Sequence, residues 1–167
     1  MAEYGDDAAA LLASLGWGPV PVIGVSFGGM VAQELALRHP DLVQALVLCC
    51  TSAGGAGGAS YPLHELADLP PEERMERNLE LSDLRRTPEW RAANPERWER
   101  LMEMARAGER DDRNESGAAL QLAARAGHDT WSRLPQLAMP VLIAGGRHDG
   151  IAPVANQEAL AGRIPGA

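Results

Sequence analysis

Gly24-Val25-Ser26-Phe27-Gly28 lies between a short apolar run and a segment with helical spacing. The residues upstream, Val20-Pro21-Val22-Ile23, are apolar and mostly β-branched, which is typical of a buried strand. Downstream, Val31 and Leu35 share a helix face, and Arg38-His39-Pro40 is a helix stop. A G-x-S-x-G pattern between a strand and a helix predicts a nucleophile elbow, which raises the serine above a parallel sheet. We expect both flanking glycines to be required, because side chains there would clash in so tight a turn.

The composition is that of an ordinary globular protein, with 46% hydrophobic and 23% charged residues among 167. The net charge of −8 and the pI near 5.0 argue against nucleic acid or an anionic membrane as a partner. No apolar run approaches the ~20 residues of a membrane span, and residues 1–7 lack a cationic signal-peptide start. We therefore expect a cytoplasmic protein. The adjacent Cys49 and Cys50 are too constrained for a useful disulfide, so we expect buried free thiols.

The first 52 residues predict the element order α-β-α-β. An amphipathic helix is expected over residues 6–15, with Asp6 and Asp7 at its start, followed by the strand and the elbow helix over 28–38. Ala45–Cys49 is a second apolar strand. This order implies a right-handed crossover and a parallel sheet with helices on its faces.

The composition changes after residue 52. Residues 51–60 contain four glycines and predict a flexible linker or loop, and residues 63–127 are charged and helical in pattern. Strand character returns at 140–144, followed by a helix opened by Pro153. We therefore predict a core formed by residues 1–52 and 138–167, with a helical insertion at 53–137.

A serine nucleophile needs a base to take its proton, and the base needs a third group to orient it. Ser26 follows the first strand and Asp149 follows the third, so both are expected at the carboxyl edge of a parallel sheet. A carboxylate there could orient an imidazolium. The alternative is a structural turn residue, because Asp149-Gly150 is a common turn pair.

Three stretches of the sequence resemble the α/β-hydrolase superfamily: residues 22–32, around the elbow, Arg38-His39-Pro40-Asp41, and residues 140–153. Residues 128–134 and the helical insertion are similar to capped members of the 3-oxoadipate enol-lactonase and carboxylesterase-like branch. The resemblance covers nearly all of the chain. It implies a partial α/β-hydrolase parallel sheet of about three strands, with helices on its faces and an inserted helical cap.

The same resemblance implies roles for individual residues. Ser26 would be the nucleophile, the Phe27 backbone N–H one oxyanion donor, and Asp149 the acid of the triad. Trp90, Trp98 and Met102 are candidates to line the substrate pocket beneath the cap, although their helical spacing is also typical of core residues. No metal or organic cofactor is implied.

The family pattern also contains N-terminal strands with a His-Gly loop, and a catalytic histidine after a further strand. We expect this chain to be an internal fragment that lacks both. Among its four histidines, His39 is expected to cap the elbow helix, His64 to be solvated and His128 to make a structural hydrogen bond. His148 shares a loop with Asp149 and is the alternative base.

The resemblance implies hydrolysis of an ester, lactone or related acyl bond of a small molecule through a serine acyl-enzyme. This activity is expected of the parent protein, with the present chain weak or inactive. The alternatives are a non-catalytic truncated chain and a non-hydrolytic member such as a cofactor-free haloperoxidase or acyltransferase. A three-stranded sheet would expose apolar edges, so we also expect marginal stability or self-association.

Overall fold

A three-stranded parallel sheet forms the centre of the computed structural model, which describes residues 1–109 and 115–167. The strands are β1 (Val20–Val25), β2 (Val43–Cys49) and β3 (Val141–Ala144), and they lie side by side in chain order. The last residues of all three strands pair with one another, so the strands end together at one edge. The predicted parallel sheet is confirmed, and its carboxyl edge carries both Ser26 and the loop that contains Asp149.

Helices make up most of the remaining described residues. They are α1 (Ala2–Ser14), α2 (Phe27–Arg38), α3 (Pro71–Ser82), α4 (Pro88–Ala93), α5 (Pro95–Glu109), α6 (Glu115–Ala126) and α7 (Val154–Arg163). Helix α2 packs against α1, β1 and β2, and α7 packs against β3. None of the described helices combines the length and the apolar character that crossing a membrane requires.

Helix α1 begins four residues before the expected position. Asp6 and Asp7 therefore lie within the helix, and the expectation that they mark its start is wrong. Asp6 instead accepts hydrogen bonds from Arg38 at 2.9 and 2.6 Å and lies 2.8 Å from the His39 ring nitrogen. These bonds hold the pKa of Asp6 at about 2, and they tie α1 to the end of α2.

Helices α2 and α7 cover one face of the sheet. Leu46 and Leu48 of the central strand point into that covered face and are fully buried. On the opposite face, Ile23, Val25 and Leu142 are 71%, 59% and 61% exposed. The strands are therefore half-buried rather than fully buried as expected, because strand side chains alternate between the two faces.

The glycine-rich segment after β2 is folded rather than a flexible linker. Thr51, Ser52 and Ala53 are buried, and Gly54 forms an antiparallel bridge with Asp129. Gly54 has a positive φ of 70°, and a side chain there would collide with the backbone of residue 128. Of the two expectations for this segment, the loop is confirmed and the flexible linker is wrong, because the contacts that fold it join residues far apart in the chain.

Residues of the predicted insertion and of the predicted core pack together in one buried cluster. Leu134 and Leu137 lie within the range 53–137, yet they belong to the same buried cluster as Leu46 and Leu160. Within the insertion, Met102 is buried as its helical pattern predicts, and α5 packs on α3. The proposed domain boundaries remain a prediction.

Candidate active site

Ser26 occupies the sharp junction between β1 and α2. Its φ of 53° is unusual for a residue with a side chain, and such backbone conformations cost of order 1–3 kcal/mol. Three hydrogen bonds fix the turn. The Ser26 N–H donates to the Cys49 carbonyl at 2.8 Å, and the Ser26 carbonyl accepts from the Thr51 hydroxyl at 2.8 Å and the Gly29 N–H at 2.9 Å. The serine side chain is exposed, so the turn presents its hydroxyl to solvent.

The glycines around Ser26 differ in how much space a side chain would have at each position. A Cβ on Gly24 would lie 2.6 Å from the Gly28 carbonyl oxygen, and one on Gly29 would lie 2.7 Å from the Thr51 side chain. A Cβ on Gly28 would meet no atom of the described structure within 4 Å. The expectation for Gly24 is therefore confirmed, whereas that for Gly28 is wrong. The close approach of α2 to Thr51 makes Gly29 the second required glycine.

The backbone N–H of Phe27 is suited to stabilise negative charge beside Ser26. Phe27 is the first residue of α2, and amides in the first turn of a helix have no partner within the helix. The helix dipole adds partial positive charge at this end. The Phe27 ring packs edge-on against Tyr4, with ring centroids 5.3 Å apart, which anchors the start of α2 to α1.

Asp149 lies in the loop after β3, where hydrogen bonds hold both its carboxylate and the backbone of the residues next to it. Its Oδ1 accepts hydrogen bonds from the N–H groups of Ile151 and Ala152, both at 2.8 Å. The loop is tied to the end of α3, because Leu84 N–H donates to the residue 148 carbonyl at 2.9 Å and Gly150 N–H donates to the residue 81 carbonyl at 2.8 Å. These two bonds to Oδ1 have the short-range form of a turn, which also fits the alternative interpretation of Asp149.

The end of β2 lies between Ser26 and Asp149. Cys49 accepts the Ser26 N–H, and Cys50 donates its own N–H to Ala144 at 2.9 Å. Burial raises the pKa of the Cys50 thiol, and the neighbouring Asp149 carboxylate raises it further. Both cysteines are free thiols, as predicted, but they are half-buried rather than buried. The structure thus brings Ser26 and Asp149 to the same edge, on either side of one strand end.

Two of the histidines have the surroundings that the sequence predicts. His39 ends α2, where its Nε2 lies 2.8 Å from Asp6, so it lies at a helix end as expected. His64 is exposed on a short helical turn, also as expected.

The other two histidines, His128 and His148, make no hydrogen bond to Ser26 or Asp149 within the described residues. His128 is buried and donates from Nε2 to the Ser52 carbonyl at 3.2 Å, which confirms the expected structural hydrogen bond. His148 is exposed, and the neighbouring Asp149 carboxylate accepts hydrogen bonds from the backbone N–H groups of Ile151 and Ala152.

Gln33 was missed by the sequence analysis. It is fully buried on α2, and its side-chain NH2 donates to the carbonyls of Gly29 at 3.1 Å and Ser52 at 3.0 Å. Its oxygen accepts a hydrogen bond of 2.6 Å from the Thr130 hydroxyl. These bonds join the elbow helix to the loop after β2 and to the segment before β3. The signal was a glutamine on an otherwise apolar helix face, where a buried partner is required.

The aromatic candidates lie among the insertion helices. Arg91 stacks on Trp98 at 5.0 Å, and Arg97 stacks on Trp90 at 5.6 Å. Met102 is buried. These contacts suit a structural role within the insertion, and the assignment of the three residues to a substrate pocket remains a prediction.

A cavity of about 210 Å³ lies between α2, the glycine-rich loop and the end of α6. We call it the α2–α6 cavity; its lining includes Met30, Ser52, Ser60, His64, Arg125 and His128. Met30 is one helical turn beyond Ser26, so the cavity adjoins the elbow helix. Within residues 1–109 and 115–167, no group of three or more His, Cys, Asp or Glu side chains could hold a metal ion.

The model of the alpha/beta hydrolase fold family matches residues 1–167. The chain belongs to the alpha/beta hydrolase family. It is 30% identical over 167 residues to a poly(3-hydroxyalkanoate) depolymerase of Ectopseudomonas oleovorans, in a match that covers 95% of this chain and 55% of that protein. The predicted family and fold class are therefore confirmed.

Solved structures of this family show the same architecture. The chain matches the structure of a protein named "Putative non-heme bromoperoxidase BpoC", from Mycobacterium tuberculosis H37Rv, with a TM-score of 0.76 and 25% identity, over 97% of this chain and 61% of that one. It matches an enol-lactonase of Burkholderia xenovorans LB400 with a TM-score of 0.72 and 21% identity, over 98% and 60%. The chain thus spans a little over half the length of these hydrolase-fold relatives.

Proposed function

We propose that the chain carries the nucleophile, one oxyanion donor and the acid of a serine hydrolase that cleaves an ester, lactone or related acyl bond. The backbone at Ser26 carries the proposal. A non-glycine residue with a φ of 53° between a strand and a helix is a costly conformation, and it persists only where the surrounding structure holds it in place. Ser26 is exposed at this turn, and Phe27 follows it in the first turn of α2, where amides have no partner within the helix.

In the proposed reaction the Ser26 oxygen adds to the carbonyl carbon of the substrate while a histidine base takes the hydroxyl proton. The carbonyl electron pair moves to oxygen, where the Phe27 N–H donates to the developing charge. Collapse of this intermediate breaks the bond to the leaving alcohol, which takes the proton from the base. Water then attacks the acyl-enzyme by the same steps and releases the acid.

The histidine base is proposed to come from outside the four positions in this chain. Asp149 would orient that base and stabilise its charged form, as the acid of a triad does. Without a base, the reactivity of Ser26 should fall by several orders of magnitude, so we expect weak or absent turnover from the 167 residues alone. The substrate is proposed to be a small acyl compound, and a cytoplasmic location remains a proposal.

Labelling with a fluorophosphonate probe tests the nucleophile. We expect slow labelling of the chain that disappears in Ser26→Ala and persists in Ser14→Ala, which removes an exposed serine from α1. Mass spectrometry of the labelled peptide identifies the modified residue. If a folded sample shows no labelling, or labels equally in Ser26→Ala, the proposed nucleophile is wrong.

A non-hydrolytic activity is the second candidate, and the structural match to a bromoperoxidase favours it specifically. Fold alone does not separate the two reactions, because one scaffold hosts several chemistries. Release of the alcohol from a p-nitrophenyl ester, without halide or peroxide, would support hydrolysis. A chain that labels at Ser26 but releases product only with peroxide and halide would support the second candidate, and a chain inert in both assays would support a non-catalytic one.

A further inference from the structure

A cleft lined by three arginines lies between the end of α3, helix α4 and helix α5. Its volume is about 220 Å³, and its lining residues are Asp83, Arg85, Arg86, Trp90 and Arg97. We call it the arginine cleft. Three guanidinium groups and one carboxylate give this lining a formal charge of +2, although the whole chain carries −8. Like charges around one cleft repel one another, so an anion bound among them would be favourable.

Hydrogen bonds already hold two of these arginines in place. Arg86 donates from Nη1 to the Leu79 carbonyl at 2.8 Å and to the Ser82 hydroxyl at 2.7 Å. Arg85 donates from Nε and Nη2 to the two carboxylate oxygens of Asp83, at 2.9 and 2.8 Å. The Arg85 guanidinium holds the pKa of Asp83 well below its ordinary value, and the charge of Arg86 lowers this pKa further. The carboxylate is therefore ionised at neutral pH, and it compensates only one of the three positive charges.

The third arginine, Arg97, is a cation without a counterion. Its guanidinium stacks on the Trp90 ring at 5.6 Å from the ring centroid, and it forms no ion pair with a carboxylate in the part of the chain that the structure describes. Arg97 is exposed, and the Arg85 side chain is 66% exposed, so a ligand in the cleft can reach both groups. A guanidinium presents a planar fork of donors that fits the oxygens of a phosphate or carboxylate. Stacking orients the fork of Arg97, which reduces the entropy lost on binding.

We propose that the arginine cleft binds a phosphate monoester, with its phosphoryl oxygens between Arg85, Arg86 and Arg97. A phosphoryl group carries a charge of about −1.5 to −2 at pH 7, which matches the two uncompensated positive charges. A monocarboxylate would neutralise only one of them, and a neutral alcohol neither. The volume exceeds the roughly 150 Å³ cavity that accommodates benzene, so a phosphoryl group with a few carbon atoms has room.

The cleft is connected through the backbone to the loop that carries the proposed acid, Asp149. Leu84, which precedes Arg85, donates its N–H to the His148 carbonyl at 2.9 Å. A second bond of 2.8 Å runs from the Gly150 N–H to a carbonyl near the end of α3. The phosphoryl group could thus belong to an acyl substrate. This link to the reaction rests on the proposed function, whereas binding in the cleft does not.

Calorimetric titration of glycerol 3-phosphate into the full chain tests the cleft, with sodium chloride added to keep the ionic strength constant. We expect saturable binding with a dissociation constant on the order of a millimolar, as is reasonable for so small a ligand. Glycerol, which lacks the phosphoryl group, should not bind. Equal affinity for the two compounds, or no saturation at roughly ten times that concentration, would overturn the proposal.

Titration of inorganic phosphate distinguishes two sources of the same chemistry. If inorganic phosphate binds as tightly as glycerol 3-phosphate, the cleft recognises the phosphate oxygens alone and also accepts the free ion. If it binds less tightly, the carbon chain contributes contacts and the cleft is a site for phosphate esters. Both results support a phosphate site in the cleft.

Two substitutions should change the affinity in opposite directions. Arg97→Gln should weaken the binding of glycerol 3-phosphate by about tenfold to a hundredfold, because a charged hydrogen bond is lost. Asp83→Asn should tighten it, because the substitution removes the carboxylate that competes for Arg85 and keeps an amide oxygen as acceptor. The matched control is Arg100→Gln, which changes the net charge equally on the same helix but does not line the cleft.

Circular dichroism establishes that each variant is folded before its affinity is compared. Equal affinities for Arg97→Gln and Arg100→Gln would show that overall charge, rather than this cleft, attracts the phosphate. Unchanged or weaker binding by Asp83→Asn would show that the carboxylate does not compete with the ligand. Either result would overturn the proposed site.

Fluorophosphonate labelling of Ser26 relates the cleft to the proposed reaction. If glycerol 3-phosphate slows the labelling, the cleft holds part of a substrate or product. If it binds without an effect on labelling, the cleft takes a phosphate ester independently of the reaction. Both outcomes support the site. Absence of labelling without any ligand would contradict the proposed function and leave the binding result standing.

Discussion

Replacing Ser26 with glycine is expected to stabilise the chain, although it removes the proposed nucleophile. The residue has a φ of 53°, a conformation that costs of order 1–3 kcal/mol for a residue with a Cβ. Glycine adopts it freely, but glycine also loses about 0.5–1 kcal/mol more backbone entropy on folding. The difference gives a net gain of about 1 kcal/mol in the free energy of unfolding for Ser26→Gly.

Urea unfolding monitored by circular dichroism measures this gain, with Ser26→Ala as the reference. Alanine retains the Cβ and removes only the exposed hydroxyl, so Ser26→Ala should stay close to the parent chain. The matched control is Ser14→Gly, at the end of α1, where glycine should be destabilising by up to about 1 kcal/mol. The slope of the unfolding curve should be unchanged in all three variants.

A Ser26→Gly variant that is less stable than Ser26→Ala would refute the reasoning. That result would mean that the elbow stores no strain and that the entropy of glycine dominates. A gain restricted to position 26 would instead show that the chain keeps a costly turn where a glycine would be more stable. Such a turn is expected at a functional position rather than a purely structural one.

Further predictions address the packing, charge and surface of the fold. Gly24→Ala should lower the free energy of unfolding by about 2 kcal/mol, because the new Cβ would meet the Gly28 carbonyl. Gly28→Ala should change the free energy of unfolding by less than about 1 kcal/mol, because a Cβ there meets no described atom. Urea unfolding distinguishes the two variants. Arg133→Met should cost about 2–3 kcal/mol by the same measurement, since it strips two hydrogen bonds from the buried Glu34 carboxylate. A loss below about 1 kcal/mol would mean that this pair behaves like a surface ion pair. Burial lowers the pKa of His128 below its value in the unfolded chain. The unfolded state therefore takes up the proton first, and the free energy of unfolding should fall as the pH drops through about 6.5. Denaturation curves between about pH 7 and 5 should show this dependence in the parent chain but not in His128→Asn. The uncovered apolar face of the sheet predicts self-association, which light scattering would detect as a mass above that of the monomer; a monomer that melts cooperatively above about 55 °C would contradict this.

The sequence predicted those parts of the fold that depend on local pattern. Each of the three strands is a short apolar run, and each was placed to within two residues of its observed bounds. The elbow was predicted because strand, serine and helix follow one another directly. For the segment 51–60 the sequence leaves a flexible linker and a loop open, because its glycines permit both, and only the pairing of Gly54 with Asp129 decides for the buried loop.

The candidate site was predicted as residues but not as a set of contacts. Ser26, Phe27 and Asp149 follow from the motif and from the rule that parallel strands end at one edge. The sequence does not predict that Gly29, rather than Gly28, is the second required glycine, because this depends on how closely α2 approaches Thr51. The sequence likewise does not predict that Nη2 of Arg125 and Nδ1 of His128 are buried without a partner, because their burial depends on tertiary packing.

By itself, the sequence determined the family, the parallel sheet and the position of the candidate nucleophile. These properties follow from hydrophobic period and from turn residues, which act over a few neighbouring positions. Tertiary structure alone decided which glycine the elbow requires, how Gln33 connects α2 to Thr130, and which sheet face is covered. Each of those outcomes depends on contacts between residues far apart in the chain, where distance in space rather than sequence spacing sets the energy.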